Sequence, residues 1–344
     1  MSASLSRALG ERLATKPIIV SSAAEFIDAA RDAKTVSFLD SSTIAELDRL
    51  AKSLGSQPVP PPQWRKLVAA VSLGPVIAIC SEPYQTTIGW FHHQQWLSHV
   101  VSAGMLEHPM ITDHLTNVIQ TLTSGTTPRL LDWVGEKVAG RRIRLTHASR
   151  RVPRLERMHE FFESKGVSAR RLVLLSDAAE ELLTNAFYDA PVAAGALKMP
   201  ISRTQDVSLP DDSACDLAYG YRDELAIVRV RDPFGSLTRE RLIEVLTRCA
   251  RTEGKLELDD SMGGAGIGLW RVFSVASLVA ISVVNNRHTE VLVGIAPYAA
   301  AAGPRPFAFH LFFKGGAVRR YWKLSDDSTG RPSLNSSVSI VVNK

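Results

Sequence analysis

The chain has 344 residues, of which 45% are apolar and 22% are charged. This length and composition are typical of about two packed domains and exclude a chain that is disordered throughout. Lys and Arg outnumber Asp and Glu by 40 to 35, and this excess of +5 is too small and too dispersed to predict a nucleic-acid-binding protein.

The cysteines and the apolar runs indicate the cellular compartment of the protein. Cys80, Cys215 and Cys249 have neither metal-like spacing nor the spacing of a disulfide framework, which fits a reducing cytoplasm. Residues 1–16 lack the apolar segment of a signal peptide. The longest apolar run, residues 272–284, contains three serines and falls short of the roughly 20 residues that a membrane span needs. We therefore expect a cytoplasmic protein with no membrane partner.

The N-terminal part of the chain alternates predicted strands and helices. Short apolar runs rich in β-branched residues predict buried strands at residues 17–22, 35–40 and 75–80. Helical periodicity is found at residues 23–33, 42–54, 92–102 and 111–123. This alternation predicts a small parallel α/β domain of the flavodoxin-like type.

A turn-forming stretch, residues 124–128, separates this part from the rest. A helix is predicted at residues 130–138, and then a strand at residues 141–150. Pro153 is expected to begin the next helix, Gly166 to end it, and Ser168 to cap the helix after that. The predicted units are residues 1–128, a linker helix at 129–140, residues 141–297, and a strand-rich extension at 298–344.

The first motif lies on a helix predicted over residues 174–191. Leu175, Ala178 and Leu182 belong to its apolar stripe, whereas Glu181 and Asn185 are neighbours one turn apart on another stripe. A carboxylate beside an amide suits Mg-nucleotide chemistry, because the amide oxygen can ligate Mg²⁺ while the carboxylate polarises a hydroxyl or water. Alone, this spacing is also common on solvated helix faces.

Two further motifs follow in order. Residues 225–230 read as a strand that leads to Asp232, a carboxylate able to accept the adenine amino group, and to Gly235, which permits a tight turn. A glycine-rich loop then opens a helix, where backbone amides can approach phosphates. Its residues are Gly263, Gly264, Gly266, Ile267 and Gly268. No strand directly precedes this loop, which argues against a Rossmann motif, and the polar residues 251–261 are predicted to form a lid.

The remaining pattern is β-rich. Residues 279–284 and 289–295 are predicted strands joined by a turn at residues 285–288, and Thr289 begins the second strand. Residues 307–313 and 337–342 are predicted to be additional strands.

The order of these motifs resembles the GHKL superfamily of ATP-binding domains, which includes gyrase, chaperone ATPases and histidine kinases. The segment Glu180–Ala186 is most similar to the compact anti-sigma-factor serine kinases. The resemblance covers residues 141–297 and implies an α+β fold, a two-layer α/β sandwich. It departs from the family pattern at Pro233 and Phe234, which lie inside the loop after Asp232.

The resemblance also implies roles for the motif residues. Asn185 would ligate Mg²⁺, Glu181 would be the catalytic carboxylate, and Asp232 would hold the adenine. The other candidate ATP-binding residues are Asp189, Gly235, Gly263, Gly264, Gly266, Ile267, Gly268 and Thr289.

The N-terminal unit is weakly similar to a response-regulator receiver domain, with Asp40 at a strand end as the candidate phosphoacceptor. It lacks an acidic pair and a matching lysine, so we expect a degenerate receiver that accepts no phosphate. The expected partners are ATP and a protein of a signalling pathway, with a homodimer left open.

Three functions remain open at this stage. The first is an anti-sigma-type kinase or ATP-dependent switch, and the second is a scaffold that binds partners without catalysis. The third is a histidine kinase that uses His159. That residue lies inside the ATP-binding unit, with no separate dimerisation helices, which disfavours the third.

Overall fold

The structure is a computed structural model that describes residues 3–14, 18–20, 35–44, 75–94, 97–124, 126, 140–251, 267–297, 305–314 and 339–343. These residues form a mixed α/β fold, which confirms the broad class expected from the sequence. No helix among them has both the length and the apolar character that a bilayer crossing requires.

The N-terminal third contains the following elements: α1 (Ala3–Arg12), β1 (Ile18–Val20), β2 (Thr35–Asp40), β3 (Val76–Cys80), α2 (Tyr84–His93), β4 (His99–Ser102) and α3 (Ile111–Ser124). The three predicted strands and the helix predicted at residues 111–123 are confirmed. The helix predicted at residues 92–102 is wrong, because α2 ends at His93 and β4 begins six residues later. The adjacent Val100 and Val101 favour extended backbone, and β4 lies between two partner strands.

Three other predicted helices lie wholly or mostly outside the described residues. The helices expected at residues 23–33 and 130–138 lie outside the described residues, as does most of the helix expected at 42–54. Residues 41–44 are helical, as the pattern predicts.

The rest of the chain contains these elements: β5 (Gly140–Leu145), α4 (Arg151–Glu163), α5 (Ala169–Thr184), α6 (Ala190–Ala193), β6 (Cys215–Arg222), β7 (Leu225–Asp232), α7 (Arg239–Arg251), α8 (Ile267–Val275), β8 (Leu278–Val284), β9 (His288–Ile295), β10 (Ala308–Lys314) and β11 (Ser339–Asn343).

Three local predictions in this region need correction. The strand predicted at residues 141–150 ends at Leu145, because Asp206 accepts hydrogen bonds from the amide and hydroxyl of Ser149 and so holds a 3₁₀ turn there. The helix expected to begin at Pro153 begins at Arg151. Ser168 occupies the N-cap of α5, but its hydroxyl makes no capping hydrogen bond.

All the strands that the structure describes belong to one sheet with the order β1-β11-β2-β3-β4-β10-β8-β9-β7-β6-β5. The first five strands in this order are mutually parallel, and β9, β7, β6 and β5 pair antiparallel. Strand β10 lies between the two groups, antiparallel to β4 and parallel to β8. The sheet is therefore continuous from the N-terminal strands to those of residues 140–297.

Helices cover both faces of the sheet. One hydrophobic cluster lies beneath α2, α4, α5, α7 and α8, and includes Phe187, Val228 and Phe309. The second lies beneath α1 and α3 on the other face and extends to Ile227 and Leu278. The alternation of Val228 and Ile227 between the two clusters follows the two-residue period of a strand buried on both faces.

Candidate functional site

Helix α5 carries the first motif on its solvent-facing edge. Leu175, Ala178 and Leu182 are buried, as their spacing predicts, while Glu181 and Asn185 are half-buried. Asn185 Nδ2 donates to Glu181 Oε1 across 3.4 Å. Because this bond uses the amide nitrogen, the carbonyl oxygen of Asn185 is the atom available to a cation.

The helix changes from α-helical to π-helical geometry at the end of the motif. Residues Asn185–Asp189 form a single π-helical turn between α5 and α6. Such turns change the direction of the side chains that follow, and they are frequent at functional sites. The same turn carries Asp189, so Asn185 and Asp189 share the one irregular segment of this helical region.

The Glu181 carboxylate lies against the beginning of α8. A Cβ placed on Gly268 would overlap the Glu181 carboxyl group, so any other residue at this position would displace the carboxylate from its place against the helix. Burial raises the pKa of Glu181, whereas Arg203 and the Asn185 hydrogen bond lower it. The structure thus brings Glu181, Asn185 and Gly268 together. Gly263, Gly264 and Gly266 lie outside the described residues, and of Ile267 the backbone alone is described, as the first residue of α8.

Asp232 is a buried carboxylate at the end of β7. It pairs in register with Thr289 of β9, and its Oδ1 accepts hydrogen bonds from the amides of Phe234 (2.8 Å) and Gly235 (3.3 Å). Burial raises its pKa, while those amides lower it. Thr289, which is also buried, lies opposite Asp232 in the strand pairing, and its side chain and amide further lower the pKa of that carboxyl. A buried carboxylate with a buried hydroxyl beside it fits a ligand that offers polar hydrogen-bonding groups, as an adenine ring does.

Gly235 is required by packing as well as by its turn. Its φ is +62°, and an added Cβ would run into the backbone of Val284, Arg287 and His288 in the β8–β9 turn. The amide of Asn286 donates to the Gly235 carbonyl across 3.3 Å. The glycine therefore locks the loop after Asp232 onto the hairpin that carries Thr289.

The two halves of the site are connected through the segment after the π turn. Ser236 Oγ donates to the carbonyl of Ala190 across 3.1 Å, and Cys215 Sγ lies 3.9 Å from the carbonyl of Ala186. Burial raises the pKa of Cys215, and the charge of Asp232 raises it further. The motif residues that the structure describes therefore surround one region.

Sequence reasoning did not identify Arg203, which lies beside this region. Its Nη2 is 3.3 Å from Asp189 Oδ2. After burial, Arg203 has the largest effect on the pKa of both Glu181 and Asp189, and it lowers each. An isolated arginine in a long loop has no motif that would reveal this position in the sequence.

Two other candidate residues lie elsewhere. Asp40 ends β2, and its Oδ1 accepts hydrogen bonds from Ser42 Oγ and the Thr43 amide, each across 2.8 Å, which is the bonding of a helix cap. His159 is half-buried in the middle of α4. Within the described residues, no group of three or more His, Cys, Asp or Glu side chains is arranged to hold a metal ion. A single Asn185 oxygen fits Mg²⁺ that is held mainly by phosphates and water.

No model of a known protein family matches the chain, and no curated protein matches it.

Proposed function

We propose that residues 141–297 bind Mg·ATP as a domain of the GHKL type, and that the protein is a signalling regulator of the anti-sigma kinase class. The observation that carries this proposal is the convergence of Glu181, Asn185 and Gly268 around the π turn, next to the Asp232–Thr289 pair. The adenine would lie against Asp232 and Thr289, and the phosphates would lie toward the beginning of α8.

The roles of the chain's own groups follow from their chemistry. Asn185 would contribute one oxygen to Mg²⁺, and the metal would neutralise charge on the phosphates. Glu181 would orient or deprotonate the attacking hydroxyl or water. Its raised pKa matches this role, because a general base works best when its pKa approaches the working pH.

A calorimetric titration of the purified chain with ATP and Mg²⁺ tests the binding proposal. Asp232→Asn keeps an acceptor for the Phe234 and Gly235 amides but removes the charge, and we expect at least about tenfold weaker ATP binding. Asn185→Asp should weaken binding severely, because it replaces an amide with a second charge beside Glu181. Asp177→Ala, on the exposed side of α5, is the matched control. A wild-type chain that gives no heat with ATP would refute the proposal.

The contact between Glu181 and Gly268 favours a second candidate function. A carboxylate against the helix start takes room that phosphates would need, which is compatible with a scaffold that does not catalyse. Glu181→Ala separates the two candidates. In a kinase or ATPase it should abolish turnover and leave binding largely intact, because a general base acts mainly on the transition state.

Glu180 is an unsuitable control for that experiment. It forms a 3.1 Å ion pair with Arg151, so its removal would disturb α4 as well. Asp177→Ala is therefore the control here as well. Wild-type protein that binds ATP but neither hydrolyses it nor phosphorylates a partner would favour the scaffold.

A further inference from the structure

The loop between α6 and β6 is shaped to present Arg203. Ser202 Oγ and Thr204 Oγ1 lie 2.8 Å apart, and the amide of Gln205 donates to the Ser202 carbonyl across 2.9 Å. These bonds close a tight turn with Arg203 at its tip. A side chain at the tip of a hydrogen-bonded turn has a defined point of origin.

The turn is fixed to the π-helical segment. Tyr188, buried on the π turn, donates its hydroxyl hydrogen to the Gln205 carbonyl across 2.7 Å. The Arg151 guanidinium lies 5.2 Å from the centre of the Tyr188 ring. On the other side of the turn, Asp206 accepts two hydrogen bonds from Ser149. The segment that carries Asn185 therefore also sets the position of Arg203.

The guanidinium itself is held loosely. Its ion pair with Asp189 is 3.3 Å long, and the two side chains are 45% and 43% exposed. An exposed pair of this length contributes little to stability, so Arg203 can exchange Asp189 for a stronger anion at small cost. The guanidinium also lies close enough to Glu181 to lower that carboxyl's pKa.

We propose that Arg203 binds the terminal phosphate of the nucleotide, leaving Asp189 when ATP enters. This inference rests on the proposed ATP site and adds the group that would distinguish ATP from ADP there. Two carboxylates, Glu181 and Asp189, face a ligand of high negative charge, and a neighbouring cation is needed to offset them. Arginine forms two parallel hydrogen bonds with phosphate oxygens, which makes it well suited to this role.

Nucleotide discrimination tests this proposal directly. Dissociation constants for Mg·ATP and Mg·ADP would be measured by calorimetry for the wild type, Arg203→Ala and Arg203→Lys. We expect Arg203→Ala to weaken ATP binding about tenfold to a hundredfold, since a hydrogen bond to a charged group is lost. The same variant should change ADP binding by less than about threefold. Arg203→Lys should recover part of the ATP preference, because lysine restores the charge but not the paired geometry.

Lys198→Ala is the matched control, because it removes an exposed positive charge from the same loop. It should leave the ratio of ATP to ADP affinity unchanged, which would exclude a general effect of net charge. If Arg203→Ala weakens the binding of ATP and ADP equally, or weakens the binding of neither, then Arg203 does not bind the terminal phosphate. The proposed ATP site would still stand in that case. If the wild type binds neither nucleotide, the ATP site and the role of Arg203 fail together.

Discussion

Single residues in this protein are constrained by neighbours that are distant in sequence, and the glycines with positive φ show this best. Gly235 and Gly166 both adopt left-handed backbone, at +62° and +75°. They differ in their surroundings, since a Cβ on Gly166 would meet nothing within 4 Å, whereas one on Gly235 would meet the backbone of the β8–β9 turn.

Alanine substitution should therefore affect the two glycines unequally. Gly166→Ala adds only the strain of left-handed backbone, and we expect it to lower the free energy of unfolding by about 1–2 kcal/mol. Gly235→Ala adds a backbone collision that no rotamer can relieve, so we expect a loss of more than about 3 kcal/mol. Urea unfolding of both variants measures the difference. Equal losses would mean that the β8–β9 turn yields easily to the added methyl group.

At the scale of elements, helix α2 is the main contact between the N-terminal unit and the helices around the candidate site. It packs against α7, and Tyr84 of α2 lies 5.7 Å from Trp270 of α8, centre to centre. Arg239, the first residue of α7, donates from one Nη atom to the carbonyls of Phe91 (3.2 Å), Gln94 (3.4 Å) and Leu97 (2.8 Å). These carbonyls lie at and beyond the C-terminal end of α2, where a cation is favoured.

Replacing Arg239 should weaken this helix contact. Arg239→Met keeps most of the side-chain length but leaves the three carbonyls without this donor, so we expect a loss of about 2–3 kcal/mol in unfolding free energy. Arg241→Met is the matched control, because Arg241 is exposed and its guanidinium lies 3.5 Å from the Glu244 carboxylate, a pair for which about 0.5 kcal/mol is expected. Denaturant unfolding distinguishes the two variants, and similar losses would show that the carbonyls find other partners.

The sequence predicts elements with a strong local pattern and fails where distant contacts decide. The stripe of α5 gave the positions of Glu181 and Asn185, because helical spacing alone puts them side by side. The helix predicted at residues 92–102 was wrong because β4 is extended by pairing with β3 and with β10, which lies over two hundred positions away. Arg203 could not be found for the same reason, since its place depends on Tyr188 and Ser149.

At the scale of the whole molecule, three buried histidines mark the line where the two groups of strands meet. His310 of β10 lies between His99 of β4 and His114 of α3. Its Nε2 is 2.9 Å from His114 Nε2, and its Nδ1 is 3.3 Å from His99 Nδ1. All three are less than 5% exposed. Neutral rings can satisfy both contacts, because each imidazole then carries one donor and one acceptor.

Acid should lower the free energy of unfolding through these three histidines. Burial lowers the pKa of His99 and of His114 to about 3, and that of His310 well below its ordinary value. The unfolded chain takes up protons near pH 6.5 and the folded chain does not. The stabilisation is therefore complete above pH 6.5 and is lost as pH falls toward 3. With three groups, the slope approaches about 4 kcal/mol per pH unit below pH 6.

Chemical unfolding between pH 7.5 and 5 measures this slope. His114→Leu should reduce the slope by roughly one proton, or about 1.4 kcal/mol per pH unit, whatever its effect on stability at pH 7.5. His159→Gln, which removes a half-buried histidine from the middle of α4, is the control for the loss of a histidine as such. An unaltered slope in His114→Leu would show that these histidines do not bind extra protons on unfolding.

The position of β11 has a consequence for how the protein is made. This strand lies between β1 and β2, pairing Ile18 with Val341 and Val36 with Ile340. On the ribosome, β1 and β2 therefore emerge long before β11, the strand that pairs with both of them. Nascent chains in that interval expose two parallel strand edges, which are sites of aggregation. Chaperone dependence during translation should therefore concentrate in the N-terminal unit, whose strands β1 and β2 wait for β11.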